Sequence, residues 1–215
     1  MEENMDLKKI EQKTYRYSQQ DGMLEIFMGM FFAFYGGYFH HVLSGFTSEF
    51  PWLPFFFVFA FSAIVVEWVR KRVTYPRIGR VKFTEAIKPL YFIPAIVTLI
   101  AAPFMVYIAD ILSWNISPYI TWLPALFGIV LVGIFQSSIK KTGDTRYYAF
   151  VILSVVSGIL LSVFEFASLD MSIVIFFLIV GIPLAIFGVG KFLYFIHTVP
   201  VVEATEDEKY GFEKN

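Results

Sequence analysis

Six long apolar segments, separated by polar connections, constrain this chain more than any other feature of its sequence. They cover residues 22–43, 52–69, 89–108, 119–136, 147–167 and 171–195. A helix that crosses the hydrocarbon core of a bilayer needs about 20 predominantly apolar residues. Only helices and closed barrels satisfy their backbone hydrogen bonds there. The pattern therefore predicts an all-α fold, a six-span transmembrane helical bundle.

Composition agrees with a membrane environment and excludes several classes of protein. Charged residues make up 16% of the chain and apolar residues 57%, whereas a soluble domain carries about 25% charged residues. The net charge of −1 excludes a globally basic nucleic-acid-binding protein. The absence of cysteine excludes disulfides and thiolate metal sites. No catalytic signature is present, so we expect a protein that is not an enzyme and has no cofactor.

The positive charges predict the orientation. All 17 Lys and Arg residues lie in the amino-terminal segment, the second and fourth connections, and the end of the chain. Cytoplasmic loops are enriched in these residues, so we predict a multi-pass protein of the cell membrane with both termini in the cytoplasm. Its expected parts are a cytoplasmic segment over 1–21 that is a candidate interfacial helix, a six-span domain over 22–197, and an acidic cytoplasmic tail over 198–215.

A short repeat relates two of the predicted spans. The letters Trp-Leu-Pro at 52–54 recur at 122–124, and each set opens a span that ends in a basic pair. One interpretation is a bundle of three helical hairpin repeats around an axis along the membrane normal. The other is chance similarity, because Pro is favoured in the first turn of helices and Trp at membrane interfaces. The sequence leaves both interpretations open.

Small residues share one face in several predicted spans. Helices in lipid associate through small residues that let their backbones approach closely, so these faces are expected to point into the bundle. The residues are Gly22, Gly29, Ala33 and Gly37 in the first span, Ser154, Gly158 and Ser162 in the fifth, and Gly181, Ala185 and Gly188 in the sixth.

Three ionisable residues near the predicted cytoplasmic boundary form a candidate intramembrane charge cluster, namely Glu25, Glu67 and Lys191. A charge inside a membrane is a functional-site hypothesis by default. If the first, second and sixth spans adjoin, Lys191 is expected to pair with Glu25 or Glu67, because pairing avoids an isolated charge in low dielectric. The functional interpretation is a proton or cation gate. The structural interpretation is an ion pair, or a lysine that extends to the interface.

Near the outer boundary, His40, His41, Asp110 and Glu165 have metal-ligand chemistry. Adjacent residues on a helix point about 100° apart, so the two histidines are not expected to bind one ion together. A site would need three helices to converge. We therefore expect solvated interfacial side chains and no metal.

The connection after the second span is strongly basic. Its candidate contacts to anionic lipid headgroups or to a partner are Arg70, Lys71, Arg72, Arg77, Arg80 and Lys82. The alternative is that these charges only set the topology. Pro76 and Gly79 predict a shaped turn here, not a helix. The expected partners are the lipid bilayer and either anionic headgroups or another membrane protein, and the sequence leaves the oligomeric state open.

Residues 72–79, with the letters Arg-Val-Thr-Tyr-Pro-Arg-Ile-Gly, resemble a motif in small uncharacterised prokaryotic polytopic membrane proteins. In that group Tyr-Pro-Arg-x-Gly follows the second span, and an aromatic residue often follows the Gly, where Arg80 stands here. Residues 20–25 are similar to the same group. The resemblance implies a prokaryotic integral membrane protein and no particular reaction.

Two functional hypotheses follow. The first is a non-enzymatic helical bundle that interacts with lipid or with a partner protein. The alternative is a small transporter or channel for an uncharged or weakly polar solute. The centre of the predicted bilayer region carries no ionisable residue, which disfavours ion coupling through a mid-membrane carboxylate. Gly181, Pro183 and Gly188 mark the place where an unwound helix would bind a solute through its backbone groups.

Overall fold

The computed structural model describes residues 15–17, 19–43, 53–78, 101, 108, 112, 121–164 and 168–201. Within these ranges the regular structure is helical and includes no strand, which confirms the all-α class for the described part of the chain. The helices are α1 (Met23–Leu43), α2 (Leu53–Val69), α3 (Tyr75–Ile78), α4 (Leu123–Thr142), α5 (Tyr147–Phe164) and α6 (Leu169–Thr198).

Within the described ranges, three helices are long and apolar enough to cross a membrane, which indicates a membrane protein. They are Leu123–Thr142, Tyr147–Phe164 and Met171–Thr198, the last within α6. The predicted third span, at 89–108, lies outside the described residues except for positions 101 and 108, and residues 1–14 and 202–215 lie outside them as well. Helix α4 runs past the predicted boundary at residue 136 and ends at Thr142. The hydroxyl groups of Ser138 and Thr142 in this extension donate to carbonyls of their own helix.

Helices α1 and α6 pack antiparallel with their backbones in contact. A Cβ added to Gly29 would lie 2.5 Å from the Ala185 nitrogen, and one added to Gly188 would lie 2.5 Å from the Ile26 nitrogen. Cβ atoms do not approach that closely, so only glycine fits. Small residues at helix contacts are the usual means of close packing in lipid, and the sequence predicted the two faces.

Within this interface, the placement of Gly37 was predicted wrongly. A Cβ added to Gly36 would lie 2.9 Å from the Phe177 Cβ, whereas one added to Gly37 meets no described atom within 4 Å. Gly22, Gly29 and Gly36 are seven residues apart. This spacing follows the 3.5-residue period of left-handed helix pairs, so the contact face passes through Gly36.

Helices α4 and α5 form a second close pair. A Cβ on Gly128 would lie 2.6 Å from the Ser154 carbonyl oxygen, and one on Gly158 would lie 2.6 Å from the Pro124 carbonyl oxygen. The Ala125 N–H donates to the Ser162 hydroxyl oxygen at 3.1 Å. This bond satisfies one of the amide groups that have no partner within the first turn of a helix, and it ties the two helices together.

Aromatic rings fill the space between the two helix pairs. The rings of Tyr35 on α1 and Phe127 on α4 both contact that of Phe177 on α6, with centroid distances of 4.8 Å and 5.1 Å. Phe32 and Phe39 extend the same cluster along α1, and these side chains are almost fully buried. The centre of the described bundle is therefore packed with aromatic side chains.

The segment after α2 is helical, so the predicted turn was wrong over the described residues. Arg70–Thr74 forms a π-helical turn in which the Tyr75 N–H donates to the Arg70 carbonyl, and α3 follows without a break. Proline inside an α-helix clashes with the carbonyl four residues earlier. Here Pro76 directly follows a π-helical turn and Tyr75, and the chain stays helical through it. Gly79 lies outside the described residues.

Candidate functional site

Five polar side chains from four parts of the chain meet at one end of the bundle, which we name the polar end. They are Asp21, Glu25, Arg70, Tyr147 and Lys191. They come from the start of α1, the π-helical turn, the start of α5 and the last third of α6. The antiparallel packing of the helices brings these positions to the same end. They form two ion pairs, Asp21–Arg70 and Glu25–Lys191.

The first ion pair joins the start of α1 to the π-helical turn. The Asp21 side chain is fully buried, and Arg70 is 18% exposed. Arg70 Nε donates to Asp21 Oδ2 at 2.9 Å, and its Nη2 donates to Oδ1 at 3.2 Å. The Thr74 hydroxyl adds a 3.1 Å bond to Oδ2. Bidentate Arg–carboxylate pairs are among the stronger and more directional polar contacts.

Asp21 also begins α1. The Met23 N–H donates to Asp21 Oδ1 at 3.2 Å, across Gly22, whose φ of 68° lies in the left-handed region. A carboxylate at a helix N-terminus satisfies an amide with no partner in the helix and interacts favourably with the helix dipole. Neither Asp21 nor its pairing with Arg70 was predicted from the sequence. An Asp-Gly pair directly before a long apolar run was the available signal.

Arg70 has further neighbours on the amino-terminal side. Its Nη2 donates to Gln19 Oε1 at 2.8 Å. Tyr15 lies close to it, where burial raises the pKa of the Tyr15 phenol and the positive charge of Arg70 partly opposes that rise. Tyr15 and Gln19 therefore lie beside the Arg70 guanidinium and help to shield it from solvent.

The second ion pair joins α1 to α6. Glu25 is 1% exposed, and Lys191 Nζ donates to its Oε1. The Tyr147 hydroxyl donates to the same oxygen at 2.5 Å, and Lys191 Nζ also donates to the Gln19 carbonyl at 3.3 Å. Side chains from α5 and α6 thus both donate to one carboxylate oxygen on α1. Glu25 Oε2 has no partner among the described residues.

Glycine sets the distance between these two charges. A Cβ added to Gly188 would lie 2.9 Å from the Glu25 Cβ, and one added to Gly22 would lie 2.8 Å from the Lys191 Cβ. The backbones of α1 and α6 approach because these positions carry no side chain. A long lysine side chain then reaches a buried glutamate within the same interface.

Glu67, the third member of the predicted cluster, lies apart from this pair. Its side chain is 42% exposed, and Lys71 Nζ lies 3.9 Å from its Oε1. The Tyr75 hydroxyl donates to its Oε2 at 3.1 Å. The structure therefore brings Glu25 and Lys191 together and gives Glu67 partners on its own helical segment.

The residues of the basic connection have different environments. Arg70 is held by Asp21, and Arg77 donates to the carbonyls of Val73 and Val199 at 2.8 Å and 3.1 Å. Lys71 and Arg72 are exposed, and the Arg72 guanidinium lies 4.7 Å from the centroid of the Trp68 ring.

Arg80 and Lys82, the last two candidates in this connection, lie outside the described residues. The same holds for Asp110 and Glu165, which were weighed as metal ligands. The rings of His40 and His41 lie 6.2 Å apart. In the described ranges, no group of three or more His, Asp or Glu side chains is arranged to hold a metal ion.

In comparisons with known proteins, no family model, no curated protein and no solved structure matches this chain. The resemblance of residues 72–79 to a prokaryotic membrane-protein motif therefore stays a prediction. The functional argument depends on the chain's own residues.

Proposed function

We propose that this chain is a non-enzymatic membrane protein of six spans, with both termini in the cytoplasm, that binds anionic lipid headgroups at its polar end. The proposed contact, which we name the basic surface, consists of Trp68, Lys71 and Arg72. Arg80 and Lys82 follow it in the sequence. The proposed location is the cell membrane of a prokaryote.

One observation carries this proposal: along a single face of α2, exposed apolar side chains are followed by a tryptophan and then by two basic residues. Phe57, Phe61, Ile64 and Trp68 are each more than half exposed within the described part of the chain. Their spacings of three and four residues place them on one helix face. Lys71 and Arg72 continue that face, three and four residues beyond Trp68. Aromatic and basic residues in this order are typical of a lipid-facing helix that ends in the headgroup layer.

The internal ion pairs support the choice of residues. The charges of Arg70 and Lys191 are neutralised by buried carboxylates, and Arg77 donates to two backbone carbonyls. Among the ion pairs of the described residues, Lys71 takes part in a 3.9 Å contact with the Glu67 carboxylate, whose side chain is 42% exposed. An exposed pair of that kind contributes little free energy, so it competes weakly with a phosphate group.

A titration with short-chain lipids tests the lipid contact. The purified protein, in a neutral detergent, is titrated with dihexanoylphosphatidylglycerol and separately with dihexanoylphosphatidylcholine. Each basic residue near an anionic surface contributes about 1 kcal/mol, which is about a fivefold change in affinity. The Lys71→Gln/Arg72→Gln variant is therefore expected to bind the anionic lipid about 30-fold more weakly.

The matched control is Lys140→Gln, which removes an exposed charge from α4 at the same end of the bundle. The affinity of this variant for the anionic lipid is expected to stay within about threefold of that of the starting protein, because Lys140 lies on another helix. A loss of about fivefold in Lys140→Gln, the value estimated for one charge, would mean that net charge alone governs binding. Unchanged affinity in Lys71→Gln/Arg72→Gln would reject the basic surface.

The transporter alternative meets three obstacles in the described bundle. Helix α6 is continuous through Gly181, Pro183 and Gly188, so no unwound segment is present there. Gly181 and Gly188 are in close contact with the α1 backbone. Aromatic rings occupy the space between the helix pairs. These features favour a packed bundle over a path for a solute.

Single cysteines test both the packing and the orientation, because the natural chain has none. Ser154→Cys and Ser157→Cys are expected to resist a small water-soluble thiol reagent in intact membranes. Thr145→Cys, in the exposed connection between α4 and α5, is expected to react only from the cytoplasmic side. Reaction of the two buried positions would favour the transporter. Reaction of Thr145→Cys from outside would reverse the proposed orientation.

A further inference from the structure

The end of α6 is attached to the segment that carries the basic surface. Arg77 Nε donates to the Val199 carbonyl at 3.1 Å, and its Nη1 donates to the Val73 carbonyl at 2.8 Å. One guanidinium therefore bridges the residues after α2 and the residues after α6. The chain beyond Val199 starts beside the basic connection, on the same side of the bundle.

The sequence that follows is acidic. Residues 202–215 contain five acidic residues and two lysines, a net charge of −3. The acidic residues are Glu203, Glu206, Asp207, Glu208 and Glu213. The basic connection over 70–88 contains seven Lys or Arg residues and one Glu. The two segments have opposite charge, and the hydrogen bond from Arg77 to Val199 holds the start of the acidic segment beside the basic one.

The tail is long enough to reach the basic surface. Seven residues separate Val199 from Glu206, and an extended chain spans up to about 3.5 Å per residue, so this stretch covers up to about 25 Å. Lys71 lies six residues before Arg77 along a helical segment, which corresponds to about 9 Å at 1.5 Å per residue. The tail can therefore span the distance from Val199 to Lys71 without being fully extended.

We propose that residues 202–215, the acidic part of the predicted tail, dock on the basic surface around Lys71 and Arg72 as an intramolecular counter-ion. A short tether gives the tail a local concentration in the millimolar range, so weak individual ion pairs are sufficient. If the proposed lipid function holds, the tail competes with anionic headgroups for this surface. The docking itself does not depend on that function.

Cross-linking in the full-length protein tests the docking directly. Thr205→Cys is combined with Val73→Cys beside the basic surface, and separately with Thr145→Cys in the α4–α5 connection at the same end. Each pair is also made with the tail neutralised by Glu203→Gln, Glu206→Gln, Asp207→Asn and Glu208→Gln. Cross-linking rates with a short bifunctional maleimide are measured at 50 mM and 500 mM salt.

Each exposed ion pair contributes up to about fivefold in affinity. Because neutralising the tail removes several such pairs, we expect it to slow cross-linking to position 73 about tenfold. High salt is expected to slow it as well, because it screens exposed charges. Cross-linking to position 145 is expected to change by less than about twofold. Equal rates at position 73 with and without the tail charges would overturn the docking.

A second arm separates this inference from the proposed function. The neutralised-tail protein is titrated with dihexanoylphosphatidylglycerol, and its affinity is expected to rise about tenfold if the tail and lipid compete. Charge-dependent cross-linking in a protein that does not bind the lipid would support the docking and reject the lipid function. Lipid binding with charge-independent cross-linking would support the lipid function and reject the docking.

Discussion

The α1–α6 interface and the basic surface contain the same kinds of charged residue at the same end of the bundle, in opposite environments. Lys191 lies against a glutamate that is 1% exposed, whereas Lys71 is 61% exposed beside a glutamate that is itself 42% exposed. Glycines at positions 22 and 188 bring the first pair of charges together between two helices, whereas Glu67 and Lys71 lie one turn apart on a single helical segment. Close packing of α1 against α6 thus buries one charged pair in the fold, and the other pair stays open to a ligand.

The largest expected effect comes from breaking the buried pair. Lys191→Met leaves the Glu25 carboxylate buried without its cation, and such a change typically costs about 3–5 kcal/mol. Unfolding of the purified protein by increasing mole fractions of a denaturing detergent measures the loss. Adding Glu25→Gln is expected to recover part of it, because no uncompensated charge then remains. A Lys191→Met protein as stable as the starting chain would show that the pair is not structural.

A methyl group tests the role of glycine in the same interface. Gly29→Ala would place a Cβ 2.5 Å from the Ala185 nitrogen, and overpacking of this kind costs about 1–3 kcal/mol. Gly37→Ala is the matched control on the same helix, since its Cβ meets no described atom within 4 Å. We expect Gly37→Ala to be neutral or slightly stabilising, given the higher helix propensity of alanine. Equal losses from both substitutions would contradict close α1–α6 packing.

The smallest expected effect on stability comes from the basic surface. Lys71→Gln/Arg72→Gln is expected to change the free energy of unfolding by less than about 0.5 kcal/mol, as exposed substitutions usually do. The same detergent titration measures it. A loss of 2 kcal/mol or more would mean that these residues are part of the fold, and the contrast with Lys191 would no longer hold.

The sequence predicted a large share of the fold because lipid-embedded helices have simple requirements. Apolar length indicated the long helices, and small-residue stripes indicated the contact faces at Gly29, Gly158, Gly181 and Gly188. Lys191 was expected to pair with Glu25 or Glu67, and the choice needed the adjacency of α1 and α6. That adjacency depends on three-dimensional packing, which no local pattern specifies.

Other features of the site were not predictable from local patterns. The Asp21–Arg70 pair joins residues 49 positions apart, and Arg70 looked like one more charge in a basic run. The π-helical turn at Arg70–Thr74 was also missed, because Pro76 usually indicates a break. Distant pairing and unusual helix geometry both need the assembled bundle.

The most direct test of this account measures two quantities on the same preparations: the free energy of unfolding and the affinity for dihexanoylphosphatidylglycerol. Variants Lys191→Met and Lys71→Gln/Arg72→Gln are compared with the starting protein. We expect the first variant to lose about 3–5 kcal/mol of stability and, where folded, to keep its lipid affinity. We expect the second to keep its stability and to bind about 30-fold more weakly. An unchanged affinity in the second variant would contradict the division between structural and ligand-binding charges.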